Sequence, residues 1–149
     1  MGGLGIRLLI NLVIFMFTKL KKELLKFSSS NDDIVAVFLV GSYARNTYKN
    51  DSDVDIIIVT SDQNKYVSDT VWTHFFGIIK KIDVEYYGWV TAFRVFYESL
   101  EVEFGIAPLK WIQMPLDAGT KQVLYDGYKV IYEKENILEK IKLEIQESL

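Results

Sequence analysis

Two short apolar runs, separated by a polar stretch, are the most regular hydrophobic pattern in the chain. Ile34–Val40 (IVAVFLV) and Val54–Val59 (VDIIIV) are nearly continuous apolar runs rich in β-branched residues. Runs of this length and composition are typical of buried β-strands. Residues 43–52, between them, are polar and turn-forming. The pattern therefore predicts two buried strands joined by an exposed connection.

Beyond the second run, the hydrophobic period predicts further helices and strands. A stretch that opens at Ser61–Lys65 and runs to about Lys81 has apolar residues every three or four positions, which predicts a helix. Leu100–Ile106 alternates strictly, which predicts a strand with one polar face. Other strands are expected at 82–90 and 129–132, a short strand or irregular turn at 94–97, and helices at 117–125 and 136–148. This order predicts a mixed sheet with flanking helices, an α/β or α+β fold.

The first segment is apolar enough to need separate treatment. Leu8–Phe17 (LLINLVIFMF) is followed by several lysines. Its apolar run is well short of the roughly 20 residues that span a bilayer, so no transmembrane span is expected. We interpret it as a helix that continues to Phe27 and packs on the domain or on a protein partner; a membrane-associated or secretory segment is the alternative. Residues 1–149 are then expected to form a single domain, with residues 1–27 as a helix packed on it.

Composition excludes several classes of protein. The chain has 149 residues, half of them hydrophobic, which suits one folded domain. It has no cysteine, which excludes disulfides and thiolate metal sites and is compatible with the cytoplasm. The only histidine is His74, around which any catalytic triad or zinc site would have to be built. The net charge of −3 argues against long nucleic acids as partners.

The end of the first apolar run has the residues of a phosphate-binding turn. Gly41 and Ser42 follow the strand directly. A glycine there lets the backbone approach a ligand closely, and backbone amides in such a turn suit an anion. The Ser42 hydroxyl and the Arg45 guanidinium can both donate hydrogen bonds to a phosphate. A Gly-Ser pair alone is more typical of an ordinary turn at the end of a strand.

The second apolar run carries two carboxylates, Asp53 and Asp55, in alternate positions. Alternate residues of a strand point to the same face, so the two side chains repel one another unless a cation lies between them. Oxygen ligands of this kind favour Mg²⁺ or Mn²⁺. A solvent-exposed strand edge is the alternative for the aspartates alone, but it does not explain their combination with the preceding Gly-Ser turn.

That combination, GSYARN followed by DSDVDIII, resembles the signature of the DNA-polymerase-beta-like nucleotidyltransferase superfamily. It is most similar to the small bacterial domains with a GSxARG-type loop. The resemblance implies a nucleotidyltransferase fold, with Gly41, Ser42 and Arg45 holding a nucleoside triphosphate and Asp53 and Asp55 holding metal ions. Asn46 stands where the common pattern has glycine, and asparagine tolerates a left-handed backbone better than most residues.

Active members of this superfamily use a third carboxylate from a later strand, which activates the acceptor hydroxyl and contacts the metal. The resemblance assigns this role to Glu103, whose apolar neighbours mirror those of Asp55, with Glu101 in reserve because both point to one face. Glu85 is a weaker candidate. A polar strand face exposed to solvent is the bland alternative for all three.

The resemblance implies a magnesium- or manganese-dependent enzyme. It would move a nucleoside monophosphate from a triphosphate, with ATP as the expected nucleotide, to a hydroxyl of a small molecule or a protein. The alternative of another class is a non-catalytic or antitoxin-like module that binds a nucleotide or a protein partner with the same fold. A third hypothesis is a membrane-peripheral protein that uses residues 4–17.

Overall fold

A mixed six-stranded sheet organises the computed structural model, which describes residues 2–48, 53–98 and 100–147. The strands are β1 (Ile34–Val40), β2 (Val54–Thr60), β3 (Ile79–Tyr87), β4 (Val90–Tyr97), β5 (Glu101–Pro108) and β6 (Tyr128–Glu133). The helices are α1 (Gly2–Ser29), α2 (Gly41–Ala44), α3 (Gln63–Val67), α4 (Ala118–Tyr125) and α5 (Ile137–Glu147). The predicted fold class is confirmed, and the segment 94–97, left open above, is part of a regular strand.

The strand order is β3-β4-β5-β2-β1-β6. All neighbours are antiparallel except β2 and β5, which run parallel in the middle of the sheet. This parallel pairing places Asp55 directly beside Glu103. The β3–β4 hairpin makes it possible, because it returns the chain to the centre of the sheet before β5 begins.

Each face of the sheet has its own hydrophobic core. On one face, Leu24 and Phe27 of α1 pack over buried residues such as Phe104. On the other face, Leu124 of α4 and Ile141 of α5 cover Phe38 and its neighbours. Because β1 and β2 are buried on both faces, their sequences read as nearly continuous apolar runs.

The single helix predicted to open at Ser61–Lys65 and to run to about Lys81 is wrong. The segment divides into α3, a 3-10 helix at Val71–Phe76, and the first residues of β3. The Asp69 carboxylate accepts a hydrogen bond from the Val71 amide and starts a new turn there. Gly77, with φ of 152°, then ends the helical conformation, and Ile79 onward pairs with β4. Helical spacing of apolar residues arises here because all three pieces bury side chains against one core.

Helix α1 is packed along only part of its length. Leu20, Leu24 and Phe27 are buried, whereas Leu8 and Phe15 are 63% and 64% exposed. The N-terminal part therefore presents apolar side chains away from the domain core. Within the described part of the chain, no helix has the length and apolar character needed to cross a membrane.

Candidate active site

Strand β1 ends in a turn that only glycine can make without strain. Gly41 has φ of 71°, in the left-handed region that other residues avoid. A Cβ atom on this residue would lie 2.2 Å from Oδ2 of Asp55, far inside van der Waals contact. Gly41 therefore allows the backbone of the turn to lie directly against the Asp55 carboxylate.

The short helix α2 follows from Gly41 and leads into a second left-handed residue. The first amides of any α-helix lack partners within the helix, so those of α2 are suited to an anion. Asn46 has φ of 58°, the conformation expected of an asparagine in the glycine position of the loop. Its side-chain oxygen accepts a hydrogen bond from Nζ of Lys129 on β6, at 3.3 Å. The aliphatic part of the Arg45 side chain lies against Gly127. A Cβ added to Gly127 would be 2.9 Å from Cγ of Arg45.

Three carboxylates converge beside this turn. Oxygen atoms of Asp53, Asp55 and Glu103 all lie within 4.8 Å of one another. The β2–β5 register brings Glu103 to this position, whereas Glu101 instead approaches Arg94. Among the described residues, this is the one group of acidic or histidine side chains close enough to share a metal ion.

The electrostatics of this cluster are unfavourable for three negative charges. Burial, together with the charges and hydrogen-bonding contacts of Asp53 and Glu103, raises the pKa of the Asp55 carboxyl to about 8. Asp55 therefore shares or holds a proton at neutral pH unless a cation compensates the charge. Strongly perturbed pKa values of this kind cluster at functional sites.

Arg94 is the cation nearest to Glu103 across the sheet. It lies opposite Glu103 on β4, with its Nη2 3.8 Å from Glu103 Oε2 and its Nε 3.4 Å from Glu101 Oε1. Burial opposes its charge, but Glu103 and Asp53 outweigh that effect and raise the pKa of Arg94. Glu85, the weaker candidate above, accepts a hydrogen bond from Tyr87 on the same strand and is not part of the carboxylate cluster.

A cavity of about 680 Å³ opens next to the carboxylates. Asp55 and Glu103 line one end of it. Its floor includes Gly105, where an added Cβ would lie 2.7 Å from Ile57 and reduce the space. Side chains from the β3–β4 turn and from around α4 form the walls: Tyr87, Trp89, Trp111, Thr120 and Val123. The cavity is thus mainly apolar and aromatic, as expected for a site that receives an organic group beside a charged centre.

These wall residues were not identifiable from the sequence. Trp89 and Trp111 are 22 positions apart in the sequence. They line the same cavity because the hairpin turn and the segment before α4 lie over the same face of the sheet. The isolated Gly105 inside a predicted strand was an available signal, because glycine within a strand often marks close approach of another group.

Comparison with known proteins places this chain in a family. Residues 18–147 match the family model described as "Nucleotidyltransferase domain". Since the match covers most of the chain, the protein belongs to this family and is an enzyme of the nucleotidyltransferase class. The matched region begins within α1, so the exposed N-terminal part of that helix lies outside it.

Individual known proteins are similar to this chain. A Methanocaldococcus jannaschii protein named "Putative protein adenylyltransferase" is 30% identical over 115 residues, which cover 74% of this chain and 69% of the relative. An aminoglycoside 6-adenyltransferase from Bacillus subtilis has a similar fold, with a TM-score of 0.51 at 15% identity. That similarity covers 62% of this chain but only 35% of the other. A Sulfolobus solfataricus structure titled "putative nucleotidyltransferase" matches with a TM-score of 0.48 at 18% identity, over 86% of this chain and 89% of the other.

Proposed function

We propose that the protein is a divalent-metal-dependent nucleotidyltransferase that moves a nucleoside monophosphate, with ATP as the donor, to an acceptor hydroxyl. The observation that carries this proposal is the convergence of Asp53, Asp55 and Glu103 within 4.8 Å, directly beside the Gly41 turn. Family membership supports nucleotidyl transfer as the reaction class. The metal, the nucleotide and the roles of individual residues are the proposal.

The donor set fits a hard divalent cation. Carboxylate oxygens are the ligands that Mg²⁺ and Mn²⁺ prefer. The raised pKa of Asp55 is a second argument, because a cation between these side chains would offset both the burial and the repulsion that raise it. When bound, such an ion supplies charge neutralisation for the triphosphate and polarises the phosphoryl group under attack.

The protein's own residues then have separable tasks. Gly41, Ser42 and Arg45 would hold the phosphates that leave, through backbone amides, a hydroxyl and a guanidinium. The Glu103 carboxylate would accept the proton of the acceptor hydroxyl. Arg94, which contacts Glu103 from β4, would keep that carboxylate oriented. In such a site, most of the rate acceleration comes from positioning and charge stabilisation.

Metal affinity is expected to rise steeply with pH. Since the pKa of Asp55 is about 8 without metal, an ion that binds below that pH must displace about one proton. We expect the apparent affinity for Mn²⁺ to increase about tenfold per pH unit between pH 6 and pH 8, then to level off. Calorimetric titrations at several pH values, in buffers of different ionisation enthalpy, measure both the affinity and the proton release. An affinity independent of pH would contradict the assignment of Asp55 as a ligand.

Nucleotide binding is the first test of the proposed function. ATP, GTP, CTP and UTP are titrated calorimetrically into the protein with Mg²⁺, and again into the Asp53→Ala/Asp55→Ala double variant. We expect metal-dependent binding that the double variant loses. If the folded wild-type protein binds none of the four, the catalytic proposal fails.

The third carboxylate has a matched control on its own strand. Glu103→Gln is expected to lower turnover by about 100-fold or more, the scale on which general base catalysis acts. Glu101→Gln removes the same charge two residues away, outside the carboxylate cluster, and is expected to retain most of the turnover. Equal losses in both variants would contradict the role of Glu103.

For the acceptor, a protein hydroxyl is favoured by the name of the Methanocaldococcus jannaschii relative, and a small molecule remains the other candidate. ATP labelled at the α-phosphate should transfer its label to the acceptor, whereas ATP labelled at the γ-phosphate should not. Label from the γ-position would indicate phosphoryl rather than nucleotidyl transfer.

The exposed apolar part of α1 favours a second candidate function, the binding of a protein partner. A module of that kind would keep the fold and bind its partner whether or not the carboxylates are intact. Partner binding unaffected by the Asp53→Ala/Asp55→Ala substitutions, together with absence of nucleotide turnover, would favour it.

A further inference from the structure

Three aromatic rings connect helix α1 to the turn that carries Gly41 and Ser42. The rings of Phe17 on α1 and Tyr43 on α2 have their centroids 5.0 Å apart. Tyr43 in turn stacks on Tyr48, with centroids 4.4 Å apart and ring planes only 3° from parallel. Tyr43 lies in the middle of this stack and is only 3% exposed.

The turn depends on such outside support because α2 is very short. A helix of four residues cannot stabilise itself, since nucleation costs more than so few hydrogen bonds return. Its position has a narrow tolerance, because Gly41 already lies against the Asp55 carboxylate. A small shift of α2 would therefore move the Gly41 backbone and press it against the Asp55 carboxylate.

The Tyr43 ring is held by packing rather than by its polar atom. Its hydroxyl is buried and has no hydrogen-bond partner among the described residues. A buried hydroxyl without a partner is destabilising, so it does not explain why the ring occupies this place. The contacts of the Tyr43 ring with Phe17 and Tyr48 explain its position.

We propose that Phe17 and Tyr48 are positioning residues, which act through Tyr43 to hold helix α2 (Gly41–Ala44) in its nucleotide-binding geometry. Helix α1 thus contributes to nucleotide affinity through a residue just outside the matched family region, which begins at residue 18. The effect on nucleotide affinity rests on the proposed function, whereas the effect on the order of the turn does not.

Phe17→Leu and Phe27→Leu form a matched pair on the same helix. Phe27 is more buried than Phe17 and contacts Tyr66, Trp72, Phe75 and Phe76, none of which belongs to the turn. We expect Phe27→Leu to lower the melting temperature at least as much as Phe17→Leu. Phe17→Leu, but not Phe27→Leu, should weaken Mg-ATP binding about tenfold.

Tyr48 offers a second test of the stack. Tyr48→Ala should weaken Mg-ATP binding by a similar factor, and Tyr48→Phe, which keeps the stacked ring, should restore the affinity.

Hydrogen exchange tests the same inference without any nucleotide. In the ligand-free protein, amides of residues 41–46 should exchange at least tenfold faster in Phe17→Leu than in Phe27→Leu. Equal exchange in the two variants would overturn the inference, even if the wild-type protein binds no nucleotide. Wild-type nucleotide affinity in a folded Phe17→Leu variant would also overturn it. Failure of nucleotide binding in the wild-type protein alone would overturn the proposed function instead.

Discussion

Asp55→Asn is expected to abolish turnover while making the metal-free protein more stable. The substitution removes a proposed metal ligand from the carboxylate cluster, so we expect a fall in kcat/KM of about 1,000-fold or more. It also removes a charge that the fold disfavours, because the pKa of Asp55 is raised to about 8. The free energy of unfolding at pH 8 should rise by about 2 kcal/mol, a value reduced from the full pKa shift to allow for screening by solvent.

The gain in stability should depend on pH in a defined direction. In the unfolded chain Asp55 ionises near the ordinary aspartate pKa of 3.8, whereas in the folded chain it keeps its proton up to about pH 8. The folded state therefore binds the extra proton between these values, and the metal-free wild type loses stability as pH rises from 4 to 8. Urea unfolding at pH 5 and pH 8 measures this loss of stability. The free energy of unfolding of Asp55→Asn is expected to be nearly the same at both pH values. A wild type whose stability rises over that range would contradict the assigned electrostatics.

Gly41→Ala should eliminate activity through geometry alone, without any change in charge. The new methyl group would lie 2.2 Å from Asp55 Oδ2, and the residue would have to keep a φ of 71°. The left-handed conformation costs an L-residue about 1–2 kcal/mol. The clash must in addition move either the turn or the carboxylate, and a displacement of about 1 Å can cost 100-fold in rate. We therefore expect kcat/KM to fall at least 100-fold, together with loss of Mn²⁺ affinity.

Gly77→Ala is the matched control for the backbone penalty. Gly77 also has a positive φ, 152°, and an added Cβ there would contact only the Tyr97 ring, at 3.1 Å. This variant should lose stability and retain kcat/KM per folded molecule. If Gly41→Ala remains active when folded, the turn does not form part of the catalytic site.

The parts of the site that could be predicted from sequence are those encoded within one short segment. Gly41, Ser42, Asp53 and Asp55 lie at the ends of two strands whose apolar runs are unmistakable. Their proximity follows because adjacent antiparallel strands place the end of one beside the start of the next. Asn46 could be assigned a left-handed backbone for an equally local reason, the conformational preference of asparagine.

The remaining features depend on contacts that local patterns do not encode. Glu101 and Glu103 are equivalent by strand periodicity, and only the parallel register of β2 and β5 brings Glu103 beside Asp55. The long helix predicted to Lys81 failed because its periodicity came from three elements packed on one core. The Phe17–Tyr43–Tyr48 stack joins segments whose ring contacts leave no trace in hydrophobic spacing.

The central parallel pairing of β2 and β5 also has a consequence for the order in which the enzyme becomes active during synthesis. The ribosome adds Glu103 48 residues after Asp55, and the β3–β4 hairpin lies between them along the chain. A nascent chain that has only reached the hairpin thus exposes Gly41 and both aspartates without the third carboxylate. On the proposed roles of these residues, triphosphate turnover would begin only when the emerging chain has added β5, so unfinished chains would not consume the nucleotide pool.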